Sequence, residues 1–288
     1  MINIIKSKFI TIINDCKSQN DIGRQTTRYS LVFPNSNINF VGIDSSLGIN
    51  STLESAGNLI DILDAAEGKP GVIALNVAPR GQINEDGENG SRFSYFFYRN
   101  TLVVSTIKDY NLSLVKKLGL IKEFYILDTK EVLQFANDQK LIANDLKDYI
   151  EKSQFRSFDF QPRVAKWIWD GHKVPSTVTS INKIADCPDA IWLIDSFGNA
   201  KLTLTVNNLP FKVSPLKGSP LKVATNHGTL NYYHRLKDIP DGETAIYTGS
   251  SGIGDKRFLE LATQNRTGSA AKILKLKAGD KIEVIDVK

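Results

Sequence analysis

Residues 191–199, Ile-Trp-Leu-Ile-Asp-Ser-Phe-Gly-Asn, place four apolar residues before a carboxylate, an aromatic ring, a glycine and an amide. This order predicts a buried strand that ends at Asp195, followed by a tight turn that presents Phe197 and Asn199. A carboxylate suits an amine or a ribose hydroxyl, an aromatic ring suits a flat base, and Asn bonds both kinds of group on a base edge. The pattern also fits a strand that runs into an ordinary Asx turn.

The composition is that of a globular protein long enough for two domains, with 288 residues of which 41% are hydrophobic. No apolar stretch approaches the roughly 18 residues of a membrane helix. The N-terminus lacks a signal-peptide cleavage site, and Cys16 and Cys187 lack CxxC spacing, so we expect a cytoplasmic protein without disulfides or a zinc site. The three histidines have no ligand spacing, and we expect no metal. The net charge of +5 is spread thinly and does not indicate a nucleic-acid partner.

Residues 1–175 alternate strand-like and helix-like segments, which predicts an α/β domain with a mostly parallel sheet and flanking helices. The predicted strands are residues 9–13, 38–43, 71–77, 94–97, 102–105 and 124–127, and the predicted helices are residues 53–66, 111–118 and 159–169. In such sheets ligands bind beyond the carboxyl ends of the strands, which is where Asp15, Asp44 and Pro79 fall.

The C-terminal part of the chain has a different sequence pattern. Residues 171–180 resemble a linker, and residues 185–288 contain short alternating segments separated by Asn, Pro and Gly. This pattern predicts a smaller all-β domain, a barrel-like or sandwich-like antiparallel sheet. Within it, residues 249–254 (Gly-Ser-Ser-Gly-Ile-Gly) are rich enough in glycine to wrap an anion such as a carboxylate, but they match no hydrolase or dinucleotide motif.

Two carboxylates follow the first predicted strand. Asp15, preceded by Asn14, and Asp21 lie six residues apart. They could hold a sugar diol, or they could cap a helix and bond the loop, and the sequence gives both interpretations similar weight.

Several segments, in this order, resemble the S-adenosylmethionine (SAM) hydroxide adenosyltransferases, the SAM hydrolase family that also contains the fluorinase and chlorinase. The matching segments are residues 11–15, 55–81, 155–159, 194–199, 245–252, 259–262 and 268–271. The most specific match is Ile-Asp-Ser-Phe-Gly-Asn at residues 194–199. The ordered set, rather than any single motif, carries the resemblance.

The resemblance implies a role for individual residues. Asp15 would bind the ribose hydroxyls, with Asp21 close by, and Asp195 would bind the methionine amino group. Asn199 would read the adenine edge beside Phe197. Ser250, with Ser251 next to it, would contact the methionine carboxylate, and Ser157 would lie near the nucleophile. The resemblance further implies a homotrimer with inter-subunit sites, with SAM as substrate or ligand and no separate cofactor.

The chain departs from the family at the nucleophile. The hydrolases surround the attacking water with an Asp, an Arg and a His, and the matched positions hold Ala78 and Arg156, with Arg80 or Arg92 as the arginine. Loss of an acid–base group costs about 10²–10⁴-fold in rate. We favour an enzyme in which water attacks the ribose C5′ to give adenosine and methionine, with Arg80, Arg156 and Ser157 on the water's side. The alternative is a catalytically impaired protein that binds SAM or a related adenosyl compound. The sequence does not support halogenation.

Overall fold

The computed structural model describes residues 9–79, 91–153, 155–209, 220–264 and 268–285. It divides into two units, Met1–Ala185 and Asp186–Lys288. Each unit is built on its own seven-stranded sheet.

The first unit alternates strands and helices as the sequence predicts. Its elements are β1 (Phe9–Asn14), α1 (Gln19–Val32), β2 (Asn37–Gly42), α2 (Ile49–Ala65), β3 (Gly71–Asn76), β4 (Phe93–Tyr98), β5 (Thr101–Thr106), α3 (Ser113–Lys117), β6 (Glu123–Leu127), α4 (Thr129–Asp138), α5 (Asn144–Lys152), α6 (Arg156–Trp169) and β7 (Thr177–Ser180).

The first sheet has the order β2-β1-β3-β5-β4-β6-β7. Strands β2, β1, β3 and β5 are parallel, and β4, β6 and β7 pair antiparallel with their neighbours. The antiparallel pair β4–β5 needs only the short turn at Arg99 and Asn100, whereas the parallel pairs β1–β2 and β1–β3 are reached through helices. The expected α/β class is confirmed.

Helix α6 covers one face of the parallel strands. Ile12 of β1 and Ala74 of β3 belong to one buried cluster with Phe160 and Val164 of α6, and all four side chains are fully buried. Burial of such apolar side chains contributes roughly 1.5–3 kcal/mol each for the larger ones. This packing fixes the position of the carboxyl ends of β1 and β3.

The assignment of residues 171–180 to a linker is wrong for its last part. Residues Thr177–Ser180 form β7, which pairs with β6 from Ile126↔Thr177 to Glu123↔Ser180. The sequence Thr-Val-Thr-Ser offers little apolar signal because this edge strand is held by main-chain hydrogen bonds and is largely exposed.

The second unit contains β8 (Ile191–Ile194), β9 (Ala200–Thr205), β10 (Leu221–Thr225), β11 (Gly228–Tyr233), β12 (Thr244–Ile253), β13 (Lys256–Thr263), α7 (Ala270–Ile273) and β14 (Val284–Ile285). The sheet order is β14-β10-β11-β12-β13-β9-β8. All pairs are antiparallel except β11–β12, which is parallel and departs from the predicted all-antiparallel arrangement.

The second sheet curls toward closure. β14 pairs with β10 at one edge, while the residues just before β14 bond to β8 at the other edge. The N–H of Ile191 donates to the Asp280 carbonyl at 2.9 Å, and Ala190 forms a bridge with Lys281. One short segment therefore closes both edges, which confirms the barrel-like expectation. Across the described ranges, no helix is both long and apolar enough to cross a membrane.

Candidate functional site

Asp15 lies where β1 ends, against the end of β3. Its backbone N–H donates to the Asn76 carbonyl at 3.3 Å, and its Oδ2 accepts the Ala78 N–H at 3.0 Å. Burial raises the pKa of the Asp15 carboxyl, and the Ala78 hydrogen bond partly opposes that rise. The carboxylate is thus fixed at the carboxyl edge of the parallel strands, as the sequence predicts.

A set of amide side chains holds the chain around Asp15. Asn14, which is fully buried, donates from Nδ2 to Gln25 Oε1 at 2.5 Å. Its Oδ1 accepts the Cys16 N–H at 2.9 Å and Asn76 Nδ2 at 3.2 Å. Gln25 of α1 in turn donates to the Cys16 carbonyl at 3.2 Å. Residues on both sides of Asp15 are therefore bonded to β3 and α1.

A second buried polar cluster fixes the main chain next to Ala78. Asn111 Nδ2 donates to the Val77 carbonyl at 2.9 Å and to Thr106 Oγ1 at 2.9 Å. Asn111 Oδ1 accepts the Ser55 hydroxyl at 2.7 Å. All four side chains are buried. The cluster positions the Val77–Ala78 backbone, whose N–H reaches Asp15.

Asp21 is found in the first turn of α1. Its N–H donates to Ser18 Oγ at 3.2 Å, and its Oδ2 accepts the Ser18 hydroxyl at 2.6 Å. This pair caps the helix, which is one of the two interpretations of the sequence. Contact of Asp21 with a sugar stays a prediction.

The predicted catalytic residues fall in different places. Arg80 lies outside the described residues. Arg156 and Ser157 open α6, and Ser157 is buried. The Arg156 guanidinium donates to Thr129 Oγ1 at 3.5 Å and to the Ser91 carbonyl at 3.4 Å, near the starts of α4 and β4. Their catalytic roles stay predictions.

Asp195 organises the predicted turn after β8. Its Oδ1 accepts the N–H groups of Phe197 and Asn199, each at 2.9 Å, and its Oδ2 accepts Asn199 Nδ2 at 3.0 Å. The Phe197 side chain is 80% exposed. The Asx-turn interpretation is therefore correct in geometry, and it also leaves an anionic carboxylate, an exposed ring and an amide side by side.

Gly198 allows this turn to approach α7. Its φ is +78°, and a Cβ there would lie 2.4 Å from Ser269 Oγ. The Gly198 carbonyl accepts the Ala271 N–H at 3.0 Å. A side chain at position 198 would be strained and would clash with Ser269, so the turn requires glycine.

The predicted anion-binding residues belong to β12. Ser250 is exposed, and its carbonyl accepts Arg257 Nη1 at 3.0 Å. Ser251 is buried, and its hydroxyl accepts the Lys201 ammonium at 2.5 Å. The pairing of β12 with β13 is irregular between Thr248 and Gly252, so the glycines create a bulge within a strand. Two cations therefore adjoin the two serines.

Tyr247 and Glu260 form a buried pair beside the Asp195 turn. The Tyr247 hydroxyl donates to Glu260 Oε2 at 2.5 Å. Burial and the Glu260 carboxylate raise the pKa of Tyr247, and the charge of Asp195 adds to the rise. A Cβ at Gly249 would lie 2.2 Å from Glu260 Oε1, so that glycine makes room for the carboxylate.

Sequence reasoning missed Asn111, Lys201 and Glu260. A signal existed for Glu260, because it is a charged residue inside the otherwise apolar run of residues 258–262, and such residues are rarely buried without a partner. No local signal identifies Asn111 or Lys201, since Ser55, Val77 and Ser251, with which they bond, lie 34 to 56 residues away along the chain.

The comparisons with known proteins bear on the second unit directly. Residues 189–283 match the family model of the SAM hydroxide adenosyltransferase C-terminal domain. The match shows that the second unit contains a SAM hydroxide adenosyltransferase C-terminal domain. The resemblance drawn from the sequence is thereby confirmed, and the Asp195 turn and the β12 serines lie inside the matched region.

Two solved structures share the fold of this chain. The chain is similar to an uncharacterized conserved protein from Thermotoga maritima, with 17% identity and a TM-score of 0.63, over 96% of this chain and 100% of that one. It is also similar to a conserved hypothetical protein from Thermus thermophilus, with 15% identity and a TM-score of 0.56, over the same shares. At these identities the likeness shows the fold alone. No curated protein matches the chain by sequence.

Proposed function

We propose that this chain binds SAM and transfers its adenosyl group to water. A water oxygen forms a bond to the ribose C5′ while the C5′–S bond breaks and its electron pair goes to sulfur. The water loses a proton, and adenosine and methionine are released. The observation that carries the proposal is the Asp195 turn, which lies in the family-matched domain and holds a carboxylate, an aromatic ring and an amide in one arrangement.

The second unit would recognise adenine and methionine. Asn199 donates one Nδ2 hydrogen to Asp195, and its Oδ1 would accept a hydrogen bond from the adenine amino group beside the exposed Phe197 ring. The Asp195 carboxylate would bind the methionine ammonium. Ser250 and Ser251 would meet the methionine carboxylate.

The first unit would hold the ribose. Asp15 Oδ2 accepts the Ala78 N–H, and its Oδ1 would accept a ribose hydroxyl. The partly buried setting strengthens such a hydrogen bond because competing water is reduced.

The reaction requires the protein mainly to position the reactants. Methionine leaves as a neutral thioether from a sulfonium, so the leaving group is already good, and the enzyme must mainly align and desolvate the water. Arg80, Arg156 and Ser157 would act on the water's side.

A second candidate function is SAM binding without turnover. The observation that favours it is Ala78, which contributes only its backbone N–H to Asp15 and offers no carboxylate to accept the water proton. In this case the adenosyl pocket remains and the chemical step is lost.

One experiment separates the two candidates. The purified protein is incubated with SAM in H₂¹⁸O, and free and protein-bound species are identified by mass spectrometry. Adenosine carrying ¹⁸O at the 5′ position, formed with methionine, supports hydrolysis at C5′. Intact SAM recovered on the wild-type protein and not on Asp195→Ala supports the binding protein. Absence of both products and bound SAM contradicts both candidates.

The homotrimer with inter-subunit sites is part of the proposal. Multi-angle light scattering at micromolar concentration should give three times the 32.0 kDa mass of one chain. A mass equal to one chain would contradict the trimer and would weaken the site assignment.

A further inference from the structure

A cavity of about 670 Å³ lies along α1, outside the residues assigned to SAM. Its volume falls in the range of small-molecule sites. The lining residues are Gln19, Asn20, Gly23, Arg24, Thr27, Arg28, Leu31 and Phe158. This lining contains two arginines and no acidic residue.

Arg24 is held in place by an aromatic ring rather than by a carboxylate. Its guanidinium carbon lies 4.4 Å from the centroid of the buried Phe158 ring, and Arg24 makes no ion pair within the described part of the chain. A guanidinium stacked on a ring keeps its N–H groups free at the edge, where they match the geometry of a phosphate or carboxylate.

Arg28, whose side chain is partly exposed, belongs to a cluster with an excess of positive charge. Its Nη2 lies 3.0 Å from Asp159 Oδ1, and Arg163 Nη1 lies 3.8 Å from the same oxygen. One buried carboxylate therefore serves two cations. Burial is the main cause that lowers the pKa of Arg163, the charge of Arg28 lowers it further, and the Asp159 carboxylate partly opposes the change.

Neutral donors complete the lining. The side chains of Gln19, Asn20 and Thr27 make no hydrogen bond with other residues that the structure describes, and each can donate to an anion. Leu31, which is 70% exposed, offers apolar surface to an organic group.

We propose that this cavity binds a small organic molecule that carries a phosphate group. Arg24 adds one positive charge to the one left over in the Arg28–Asp159–Arg163 cluster, and a phosphate monoester is a dianion that balances the two. The site is separate from the proposed SAM function and does not depend on it.

The test uses isothermal titration of the full chain with phenyl phosphate, inorganic phosphate and phenol at low salt. The wild-type protein should bind phenyl phosphate and should not bind phenol. Arg24→Ala should weaken the binding by about 10-fold or more, because a hydrogen bond between charged groups is lost. Arg99→Ala is the matched control, since Arg99 is exposed and stacks on Tyr98 but does not line the cavity.

A second pair of variants keeps both arginines. Thr27→Glu places a negative charge in the lining and should abolish binding, whereas Thr27→Gln should retain it. The proposal is overturned if the wild-type protein binds no phosphate compound. It is also overturned if Arg99→Ala loses as much affinity as Arg24→Ala, and Thr27→Gln as much as Thr27→Glu. Equal affinity for inorganic phosphate and phenyl phosphate would overturn the proposal that the ligand is an organic molecule. The cavity would then be a site for free phosphate.

Discussion

The backbone N–H of Ala78 donates a 3.0 Å hydrogen bond to the Asp15 carboxylate, so the contact between these two residues does not use the Ala78 side chain. The strand end at residue 78 therefore serves as a main-chain support for the candidate ribose-binding carboxylate. Position 78 can be changed without removing this contact.

Ala78→Asp should increase the rate of SAM hydrolysis. The new carboxylate would supply the proton acceptor that the family places there, and the rate should rise by about 10²–10⁴-fold, the contribution typical of general acid–base groups. Adenosine release is measured by chromatography. Ala78→Asn, which adds an amide of similar size, should show no gain. An unchanged rate in a variant that still binds SAM would show that the missing carboxylate is not limiting.

Asp15→Asn should raise the stability of the protein at pH 7. Burial raises the Asp15 pKa above its unfolded value of about 4, so a penalty on folding grows as the pH rises above 4 and is complete above the folded pKa. Asn keeps an acceptor for the Ala78 N–H and cannot ionise. The gain in the urea midpoint should shrink as the pH falls through the folded pKa toward 4.

Asp44→Asn provides a control of opposite sign. Hydrogen bonds from Ser46 lower the pKa of exposed Asp44, so its ionised form favours folding above pH 4 and that contribution is lost at lower pH. Asp44→Asn should lower the midpoint at pH 7. A shift in the same direction for both variants would contradict the assignment of the Asp15 shift to burial.

Asp195→Ala should weaken SAM binding by roughly 10–150-fold, because a charged hydrogen bond to the ligand amine contributes about 1.5–3 kcal/mol. The affinity for adenosine, which lacks that amine, should fall less. Asp195→Asn retains the acceptor for the Phe197 and Asn199 N–H groups and so isolates the charge from the turn. Titration calorimetry with both ligands decides the matter. If Asp195→Asn weakens the binding of adenosine and of SAM equally, Asp195 holds the ribose or the turn rather than the amine.

Arg156→Ala should leave SAM affinity within a few-fold if Arg156 faces only the nucleophile. The binding energy that the ground state and the transition state share would then be unaffected. Its guanidinium contacts Thr129 and the Ser91 carbonyl. Calorimetry measures the affinity, and single-turnover assays measure the rate. A large loss of affinity with an unchanged rate would place Arg156 in ligand binding instead.

Asn111→Ala should lower the free energy of unfolding by about 1–3 kcal/mol, because the buried Val77 carbonyl and Ser55 hydroxyl lose their shared partner. Adenosine affinity should fall as well, since the Val77–Ala78 backbone positions Asp15. The control is Asn58→Ala, whose side chain, among the residues that the structure describes, bonds only the Glu54 carbonyl one turn earlier in α2. Urea unfolding should show little change for that variant.

The sequence predicted most strands of the first unit because their signals are local. Residues 9–13 and 71–77 are apolar runs closed by Asn, Asp or Pro, and these become β1 and β3. Helix α1 was not predicted, since its apolar residues are few and its start depends on the Ser18 cap. The candidate carboxylates Asp15 and Asp195 were also identified locally, each at the end of a buried strand.

The sequence by itself thus determined the two domain types, the strand ends and the turn at residues 195–199, because apolar periodicity and turn residues act over a few neighbours. Only the tertiary structure decided which buried polar groups meet. Ser55 and Asn111 are 56 residues apart, and Arg28 and Asp159 are 131 residues apart. Polar groups removed from water must find partners wherever the packed chain supplies them, so the support of Asp15 and the excess charge beside α1 emerge only once the helices and strands are in place.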